Sequence, residues 1–336
     1  MVFVISGKFR EKFRKIDHKS FYHPIFDLKL LANSVNFVVL GDQSIAASLG
    51  KKGTATDMTM YDKKESGVIR TYTTPSGFPD KIQPLLQTIN LAEHVIFHIN
   101  KLDKFAGEQI VALDMLQKKS GLLSYTYDVD ENMLNTMIKN TVLINYPKIK
   151  QDKIKEESDR LTQISQDGSA RVVIDHCFDV KGVGTVILGK VERGKIKQYD
   201  TLKLLPAGID VLIKSIQMHD DPVDEAVSPG RVGLAVKGVT PDQVGRGDML
   251  CAPGPELVST ELELEFTKSQ FYKGDIASNQ MCLVNIGLQI KPAKFASISP
   301  LKLTLEKPVV HNKGDICVIL KPESTSIRLL GSGKIT

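Results

Sequence analysis

The stretch that decides the fold covers residues 181–208 and reads KGVGTVILGKVERGKIKQYDTLKLLPAG. It contains two short runs rich in β-branched residues, GTVILGKV and DTLKLL, bounded by glycine, proline and aspartate. Similar runs precede and follow it: RVVIDHCF, DVLIKSIQMH and RVGLAV. Many short strands divided by turn residues are typical of closed antiparallel sheets. We therefore predict a β-barrel over residues 170–254.

A second set of such runs begins near Glu256 and comprises ELELEF, QMCLVNIGLQI, ASISPLKLTLEKPV, DICVIL and SIRLLGSGKI. These runs predict a second β-barrel over residues 255–336. The segment before the first barrel, PKIKQDKIKEESDRLTQISQDGS, is highly charged, poor in large apolar residues and ends in Asp-Gly-Ser. This composition predicts a charged linker over residues 147–169.

Residues 34–146 alternate between two patterns. NFVVLG, EHVIFHIN and GLLSYTY are apolar runs of strand length, whereas DKIQPLLQTINLA, AGEQIVALDMLQKKSG and DENMLNTMIKN are typical of helices. Gly121 is expected to end the second of these helices. Alternation of this kind predicts a mostly parallel sheet flanked by helices.

Composition narrows the class of protein. Of the 336 residues, 42% are hydrophobic and 25% are charged, and no apolar run approaches the roughly 18 residues of a membrane span. The four cysteines are far apart without a C-x-x-C pair, which indicates neither disulfides nor a zinc site. The net charge is +5, and a basic N-terminal extension over residues 1–33 carries four of these charges. The nearly neutral remainder disfavours broad nucleic-acid binding but permits a local RNA patch. We expect a cytoplasmic protein with neither a DNA nor a membrane partner.

Residues 181–208 resemble the second domain of translational GTPases of the elongation factor Tu type, which include the selenocysteine-specific elongation factor. The resemblance rests on a G-x-G-T-V strand and a V-x-x-G turn, and it continues through SPGRVGLAVKGVTPDQVGRGDML with its R-G-D-x-L. SIRLLGSGKI is similar to the closing strands of the family's third domain. The resemblance implies a P-loop GTPase-like α/β domain followed by two antiparallel β-barrels, with tRNA or another component of the translation machinery as partner.

The run VVLGDQSIAASLGKKGT, residues 38–54, begins as a phosphate-binding loop begins, with Gly41 after an apolar strand. In G-x-x-x-x-G-K-[S/T] the second glycine and the lysine are replaced by alanine at positions 46 and 47, so that Ser48 is the only other match. The following lysines and hydroxyls offer either a small anion site or an ordinary solvated turn. That group consists of Lys51, Lys52, Gly53, Thr54 and Thr56.

Two further nucleotide motifs are depleted by comparison with the family. Where the family has D-C-P-G-H, Thr74 replaces the magnesium-holding aspartate, Gly77 is kept, and Phe78 replaces the water-positioning histidine. Of the guanine-reading N-K-x-D, only Asp128 remains. We therefore expect a degenerate GTPase-like domain without catalytic or metal-binding residues. The remnants of its nucleotide site would be Gly41, Ser48, Gly77 and Asp128.

The run IDHCFDVKGVGT, residues 174–185, resembles the selenocysteine-specific branch, in which an aspartate, a histidine and a later arginine surround the amino acid carried by tRNA. The matching positions are Asp175, His176 and Arg231, which makes them candidates for an aminoacyl pocket. A guanidinium and a histidine suit an anionic selenolate. An alternative stays open, because adjacent strand residues point to opposite faces unless the strand bulges. His176 would then lie on the apolar face of the barrel and Arg231 in a surface salt bridge.

Three functions remain open from the sequence. The first is an elongation factor-like protein that does not hydrolyse GTP and binds tRNA, aminoacyl-tRNA or a translation partner through its barrels. The second is a working elongation factor that delivers aminoacyl-tRNA and binds GTP and magnesium through an unorthodox loop. The third is an interaction scaffold that binds neither RNA nor GTP. We expect the first, and with it no cofactor.

Overall fold

The computed structural model describes residues 33–336, so the predicted basic extension lies outside the described residues except for Asn33. An α/β domain is followed along the chain by two closed antiparallel β-barrels. The predicted fold class is therefore confirmed. Within residues 33–336, no helix is long and apolar enough to cross a membrane.

The α/β domain is built on one six-stranded sheet. Its strands are β1 (Asn33–Gly41), β2 (Lys51–Ala55), β3 (Thr59–Glu65), β4 (Val68–Thr74), β5 (His94–Ile99) and β6 (Gly121–Tyr125). Its helices are α1 (Ile45–Leu49), α2 (Gln83–Leu91), α3 (Lys104–Met115) and α4 (Glu131–Ile138). The strand order is β2-β3-β4-β1-β5-β6. The four neighbouring strands β4, β1, β5 and β6 are parallel to one another. Strands β2, β3 and β4 form an antiparallel meander, so the sheet is mixed.

The strands β2, β3 and β4 were missed by the sequence analysis, and the sequence of β2 and β3 gives no strand signal. Residues 51–65 read KKGTATDMTMYDKKE and contain no apolar run. They form strands because β2 is an edge strand with a largely solvated surface, while β3 buries only its first residues, Thr59 and Met60, against the domain. A half-buried edge needs fewer apolar side chains than a central strand.

The end of helix α3 differs from the prediction. Asp103 caps the N-terminus of the helix, since its carboxylate accepts hydrogen bonds from the backbone N–H groups of Phe105 and Ala106. The helix ends at Met115, well before Gly121, which is the first residue of β6. A Cβ added to Gly121 would lie 2.5 Å from the ring of Tyr146. This glycine therefore serves close packing and does not end the helix.

The segment predicted as a linker contains a fifth helix, α5 (Ile154–Arg160). Ile154 is 2% exposed and packs on the α/β sheet, and Arg70 on β4 donates to the backbone oxygen of Asp159 at 2.8 Å. One buried apolar residue and one buried arginine contact thus hold a short helix that its charged sequence conceals. The helix also carries exposed ion pairs between residues three and four positions apart.

The first barrel closes through the strand order β10-β15-β7-β8-β14-β11, with β11 returning to β10. Its strands are β7 (Arg171–Val180), β8 (Gly184–Arg193), β9 (Lys195–Lys197), β10 (Thr201–Leu205), β11 (Ile209–Met218), β12 (Asp221–Val223), β13 (Glu225–Val227), β14 (Arg231–Lys237) and β15 (Met249–Cys251). Alternate residues such as Leu202 and Leu204 point into its core, as the period of two predicts.

The second barrel closes through the order β16-β19-β18-β17-β20-β21. Its strands are β16 (Leu257–Lys268), β17 (Met281–Ile286), β18 (Gln289–Ile298), β19 (Leu301–His311), β20 (Ile316–Leu320) and β21 (Leu329–Ile335). Its core includes Phe295, Leu303 and Ile319. Closure removes the exposed sheet edges that an open antiparallel sheet would leave.

Helix α2 and the residues that follow it join the α/β domain to both barrels. The Gln87 side chain donates to the backbone oxygen of Leu288, between β17 and β18, at 2.8 Å. From β8, Lys190 Nζ donates to the backbone oxygen of Leu91 at 2.9 Å and pairs with Glu93 at 2.8 Å. Both barrels are thus held against the same part of the α/β domain.

Candidate ligand-binding cavity

The loop that resembles a phosphate-binding loop is occupied by contacts within the protein. Gly41 adopts φ +72°, and a Cβ added to it would lie 1.8 Å from the backbone oxygen of His98. The N–H of Gly41 donates to Gln109 Oε1 at 2.8 Å, and the N–H of Asp42 donates to the His98 oxygen at 2.9 Å. The first N–H groups of the loop therefore already have protein acceptors. Gly41 is required by its left-handed backbone and by its contact with β5.

The other predicted remnants of a nucleotide site have separate local contacts. The hydroxyl of Ser48 donates to a backbone oxygen of its own helix at 2.7 Å, and the N–H of Gly77 donates to the oxygen of Asp57 at 2.7 Å. Asp128 is exposed after β6, where a hydrogen bond from a nearby threonine hydroxyl lowers the pKa of its carboxyl group. Among the described residues, no hydrogen bond or ion pair joins any two of the four predicted positions, Gly41 included.

A cavity of about 560 Å³ lies between the β2–β3 hairpin of the α/β domain and the strands β7, β11 and β14 of the first barrel. Two sets of residues singled out in the sequence line this cavity, the candidates for an aminoacyl pocket and those for an anion site. The barrel contributes Asp175, His176 and Arg231, and the hairpin contributes the residues considered as an anion site, Lys51, Lys52, Gly53, Thr54 and Thr56. Two groups more than a hundred residues apart in the chain therefore meet in one site.

A bulge in β7 lets Asp175 and His176 reach the same cavity. In the pairing of β7 with β8, Ile174 is opposite Gly189, while His176 is opposite Leu188, so Asp175 is the additional residue. A bulge of this kind breaks the alternation of faces along a strand. The condition under which both side chains could enter one pocket is thus met.

The three barrel residues form one hydrogen-bonded cluster around a buried carboxylate. Asp175 accepts from Arg231 Nη1 at 2.6 Å and from His176 Nδ1 at 2.5 Å, and its side chain has no exposed surface. Since a carboxylate only accepts, Nδ1 carries the proton. Burial alone would raise the pKa of Asp175, but the charge of Arg231 and the hydrogen bond from His176 hold it well below its usual range. The alternative of a surface salt bridge for Arg231 is wrong, because its partner is buried.

Three further residues of the cavity were missed by the sequence analysis. Asp62 lines it from β3, and Gln217 lines it from β11. Arg246 lines it as well, and its Nη1 pairs with Asp57 of the α/β domain at 2.9 Å. Arg246 lies in the R-G-D-x-L run, which could have identified it. Asp62 and Gln217 had no comparable signal.

The charges that line the cavity are mixed. Four cationic side chains, Lys51, Lys52, Arg231 and Arg246, face four carboxylates, Asp62, Asp175, Asp179 and Asp220. Two buried polar atoms of lining residues, His176 Nε2 and Gln217 Oε1, have no hydrogen-bond partner within residues 33–336. Unsatisfied buried groups are uncommon in proteins and call for an explanation such as a binding role. The cavity is therefore suited to a polar ligand that carries both donors and acceptors.

Fold and cavity together define a class of protein in which an α/β domain and the first of two β-barrels enclose a binding site. The sequence profile of elongation factor Tu domain 2 matches residues 184–251. Translation elongation factor SelB from Methanococcus maripaludis, solved with the GTP analogue GppNHp, shares this fold with a TM-score of 0.77 at 20% identity. The alignment covers 91% of this chain and 79% of that chain.

Two proteins of Methanocaldococcus jannaschii are similar in sequence. An uncharacterized protein is 33% identical over 87% of this chain and 96% of its own length. The selenocysteine-specific elongation factor is 27% identical over 75% of this chain and 58% of its own length. This chain belongs to the translational GTPase superfamily and is a relative of the selenocysteine-specific elongation factors. It matches little more than half the length of the curated factor.

Proposed function

We propose that this protein is a translation-associated binding protein that holds the aminoacyl end of a tRNA in the cavity and does not hydrolyse GTP. The observation that carries the proposal is the cluster of Asp175, His176 and Arg231 on the barrel wall of the cavity. A related protein from Methanocaldococcus jannaschii is named a selenocysteine-specific elongation factor, which supports a role in translation. The cytoplasm, where translation takes place, is the corresponding site of action.

The geometry of the cluster supports recognition of a polar group. Arg231 uses Nη1 for Asp175, and within residues 33–336 its remaining N–H groups make no hydrogen bond, which leaves them available for a ligand on the cavity side. The buried carboxylate fixes the guanidinium in one orientation, which lowers the entropy lost on binding. A volume of about 560 Å³ is of the size that proteins use for small organic groups.

The absence of GTP hydrolysis is supported by the residues at the corresponding loops. Ala46 is fully buried where the family has a glycine, and the N–H of Gly41 is already bonded to Gln109. Phe78 stands at the position of the water-positioning histidine, where its ring packs edge-on against Phe105. A phosphate group would have to displace these contacts without a lysine to compensate its charge. We infer that the domain serves as a scaffold for the cavity, without nucleotide or magnesium.

The proposal is tested by equilibrium binding of aminoacyl-tRNA without nucleotide and with GTP and magnesium. We expect the same affinity in both conditions, and no heat in a calorimetric titration with GTP and magnesium. Affinity that depends on GTP would favour a working elongation factor instead. Absence of tRNA binding in both conditions would favour an interaction scaffold.

Two substitutions on β14 test whether the tRNA binds at the cavity. Arg231→Lys keeps the charge beside Asp175 but loses the planar fork of donors, and we expect about a tenfold loss of affinity. Lys237→Ala removes a cation from the exposed end of the same strand and serves as the control. Equal losses of affinity for both variants would contradict binding at the cavity, because Arg231 lines the cavity and Lys237 does not.

A further inference from the structure

A tight turn of the first barrel, residues 245–248, lies against the strand that carries the cavity cluster. Hydrogen bonds between its first and last residues close the turn. Two further bonds join it to β7: the N–H of Gly247 donates to the oxygen of Ile174 at 2.8 Å, and the N–H of Ile174 donates to the oxygen of Asp248 at 3.0 Å. The turn is therefore fixed to β7 directly before the bulge at Asp175.

The bulge leaves the backbone of Asp175 without a partner in the sheet. In the register of β7, Asp175 is opposite no residue of β8, and β15 pairs with β7 only as far as Val173. The backbone oxygen of Asp175 accepts instead from Nε of Arg246, which belongs to the turn, at 3.4 Å. A hydrogen bond of this length is weak on its own, so its effect depends on how firmly the guanidinium is held.

The guanidinium of Arg246 is held by the α/β domain. Its Nη1 donates to Asp57 Oδ2 at 2.9 Å and to Gln87 Oε1 at 3.3 Å. Gln87 lies on α2, and its amide nitrogen is fixed by the backbone oxygen of Leu288 in the second barrel. Burial alone would raise the pKa of Asp57, but the hydrogen bond and the charge of Arg246 lower it. The two acceptors on the α/β domain thus orient the guanidinium toward the bulge.

The turn is also packed against the second barrel. Gly247 adopts φ +90°, and a Cβ added to it would lie 2.7 Å from the backbone nitrogen of Gln289. Glycine is required there both by the left-handed backbone and by this close approach. The turn that carries Arg246 is therefore held by β7, by the α/β domain and by the second barrel.

We propose that Arg246 is a positioning residue of the cavity, which holds the bulge of β7 so that Asp175 keeps His176 and Arg231 in their binding geometry. The inference rests on the proposed function and adds a residue that acts on the ligand through the cluster. Asp175 is the common partner of His176 and Arg231, at 2.5 and 2.6 Å, so a shift of its backbone changes both hydrogen bonds together.

Arg246→Lys separates this positioning role from the ion pair between the domains. Lysine keeps a cation for Asp57, but its single ammonium group cannot occupy the positions of both Nε and Nη1. The hydrogen bond to the backbone of Asp175 is therefore lost while the charge remains. Arg160→Lys, at an exposed arginine of α5, is the matched control. Thermal melting establishes that each variant is folded.

The first measurement is made by NMR on the free protein with isotope-labelled histidine. The Nδ1 proton of His176 is identified by its loss in His176→Gln, and its short bond to Asp175 shifts its resonance downfield. We expect Arg246→Lys to move this resonance or to broaden it by exchange with water, and Arg160→Lys to leave it in place. An unchanged resonance in Arg246→Lys would overturn the positioning role.

The second measurement is a double-mutant cycle in the binding of aminoacyl-tRNA. If Arg246 acts through the cluster, its substitution matters little once Arg231→Lys has altered the cluster. We expect Arg246→Lys to weaken binding about tenfold in the wild type and less than about threefold in the Arg231→Lys background. Equal losses in both backgrounds would overturn the proposal, because Arg246 would then contact the ligand itself.

Failure of this inference is distinguishable from failure of the proposed function. Unchanged affinity of Arg246→Lys for aminoacyl-tRNA would overturn the positioning role and leave the proposed function intact. If the wild type bound no aminoacyl-tRNA, the proposed function would fail, whereas the resonance of His176 in the free protein would still decide whether Arg246 positions the cluster.

Discussion

One buried ion pair contributes to the contact between the α/β domain and the second barrel, and its removal is expected to be costly. Glu108 on α3 has no exposed side-chain surface, and Arg328 is 10% exposed. Arg328 Nη2 donates to Glu108 Oε2 at 2.6 Å, and Nε and the backbone N–H donate to Oε1, each at 3.0 Å. Nη1 donates to the backbone oxygen of Pro79 at 2.8 Å. Glu108→Gln removes the charge with little change in shape.

The magnitude follows from the loss of one partner. Leaving an arginine buried without its carboxylate costs about 3–5 kcal/mol, because its desolvation is no longer compensated. Glu108 accepts three donors of Arg328, and a glutamine amide can accept at its single oxygen only. We therefore expect Glu108→Gln to lower the free energy of unfolding of the α/β domain by about 3–5 kcal/mol. Removal of both charges in Glu108→Gln/Arg328→Met should cost less than either single change.

Urea unfolding followed by circular dichroism at 222 nm measures this loss. Within the described residues, all five α-helices precede the first barrel, so the helical signal reports mainly on the α/β domain and on α5. Glu263→Gln is the control, since its pair with Lys302 is about half exposed and is expected to contribute less than about 1 kcal/mol. A loss below about 1 kcal/mol for Glu108→Gln would refute the reasoning that this pair stabilises the packing of the domains.

Three further predictions concern single residues. Gly41→Ala should destabilise the protein by more than about 2 kcal/mol in urea unfolding, because it adds a left-handed alanine and a contact with His98 O at 1.8 Å. Asp175→Asn should be less stable than the wild type at pH 7. That difference should shrink as the pH falls below 3.8, since the depressed pKa of Asp175 contributes stability only while the carboxyl group is ionised. Burial, assisted by Lys190, lowers the pKa of Lys118 to about 8, so wild-type stability relative to Lys118→Met should rise by at most about 3 kcal/mol between pH 8 and 10.5.

The barrels could be predicted from the sequence because their cores depend on local alternation. In β10, Leu202 and Leu204 are buried while Thr201 and Lys203 are exposed, which matches the alternation of apolar and polar residues in the sequence. The β2–β3 hairpin could not be predicted, because an edge strand with polar side chains has no such pattern. Because the hairpin was not predicted, Asp62 was missed as well, since the face of the sheet on which a residue lies cannot be assigned until its strand is known.

The cluster on the barrel wall was predicted through the resemblance to the selenocysteine-specific factors, and the choice between pocket and surface was left open. The bulge at Asp175 decided it, and a bulge depends on the register with β8, which the sequence of β7 alone does not specify. The pair of Glu108 and Arg328 joins residues separated by 220 positions. No periodicity relates such residues, so contacts of this kind become visible only in three dimensions.

The walls of the cavity come from two domains, and this links ligand binding to the contacts between them. Arg246 pairs with Asp57 beside the cavity, and Lys190 pairs with Glu93 behind it, each joining the first barrel to the α/β domain. Separation of the domains would remove Asp62 from Arg231 and abolish the site. By linkage, a ligand that requires both walls stabilises the packed arrangement by the same free energy with which that arrangement favours binding. The ion pairs between the two domains therefore hold both walls of the cavity in place before a ligand arrives.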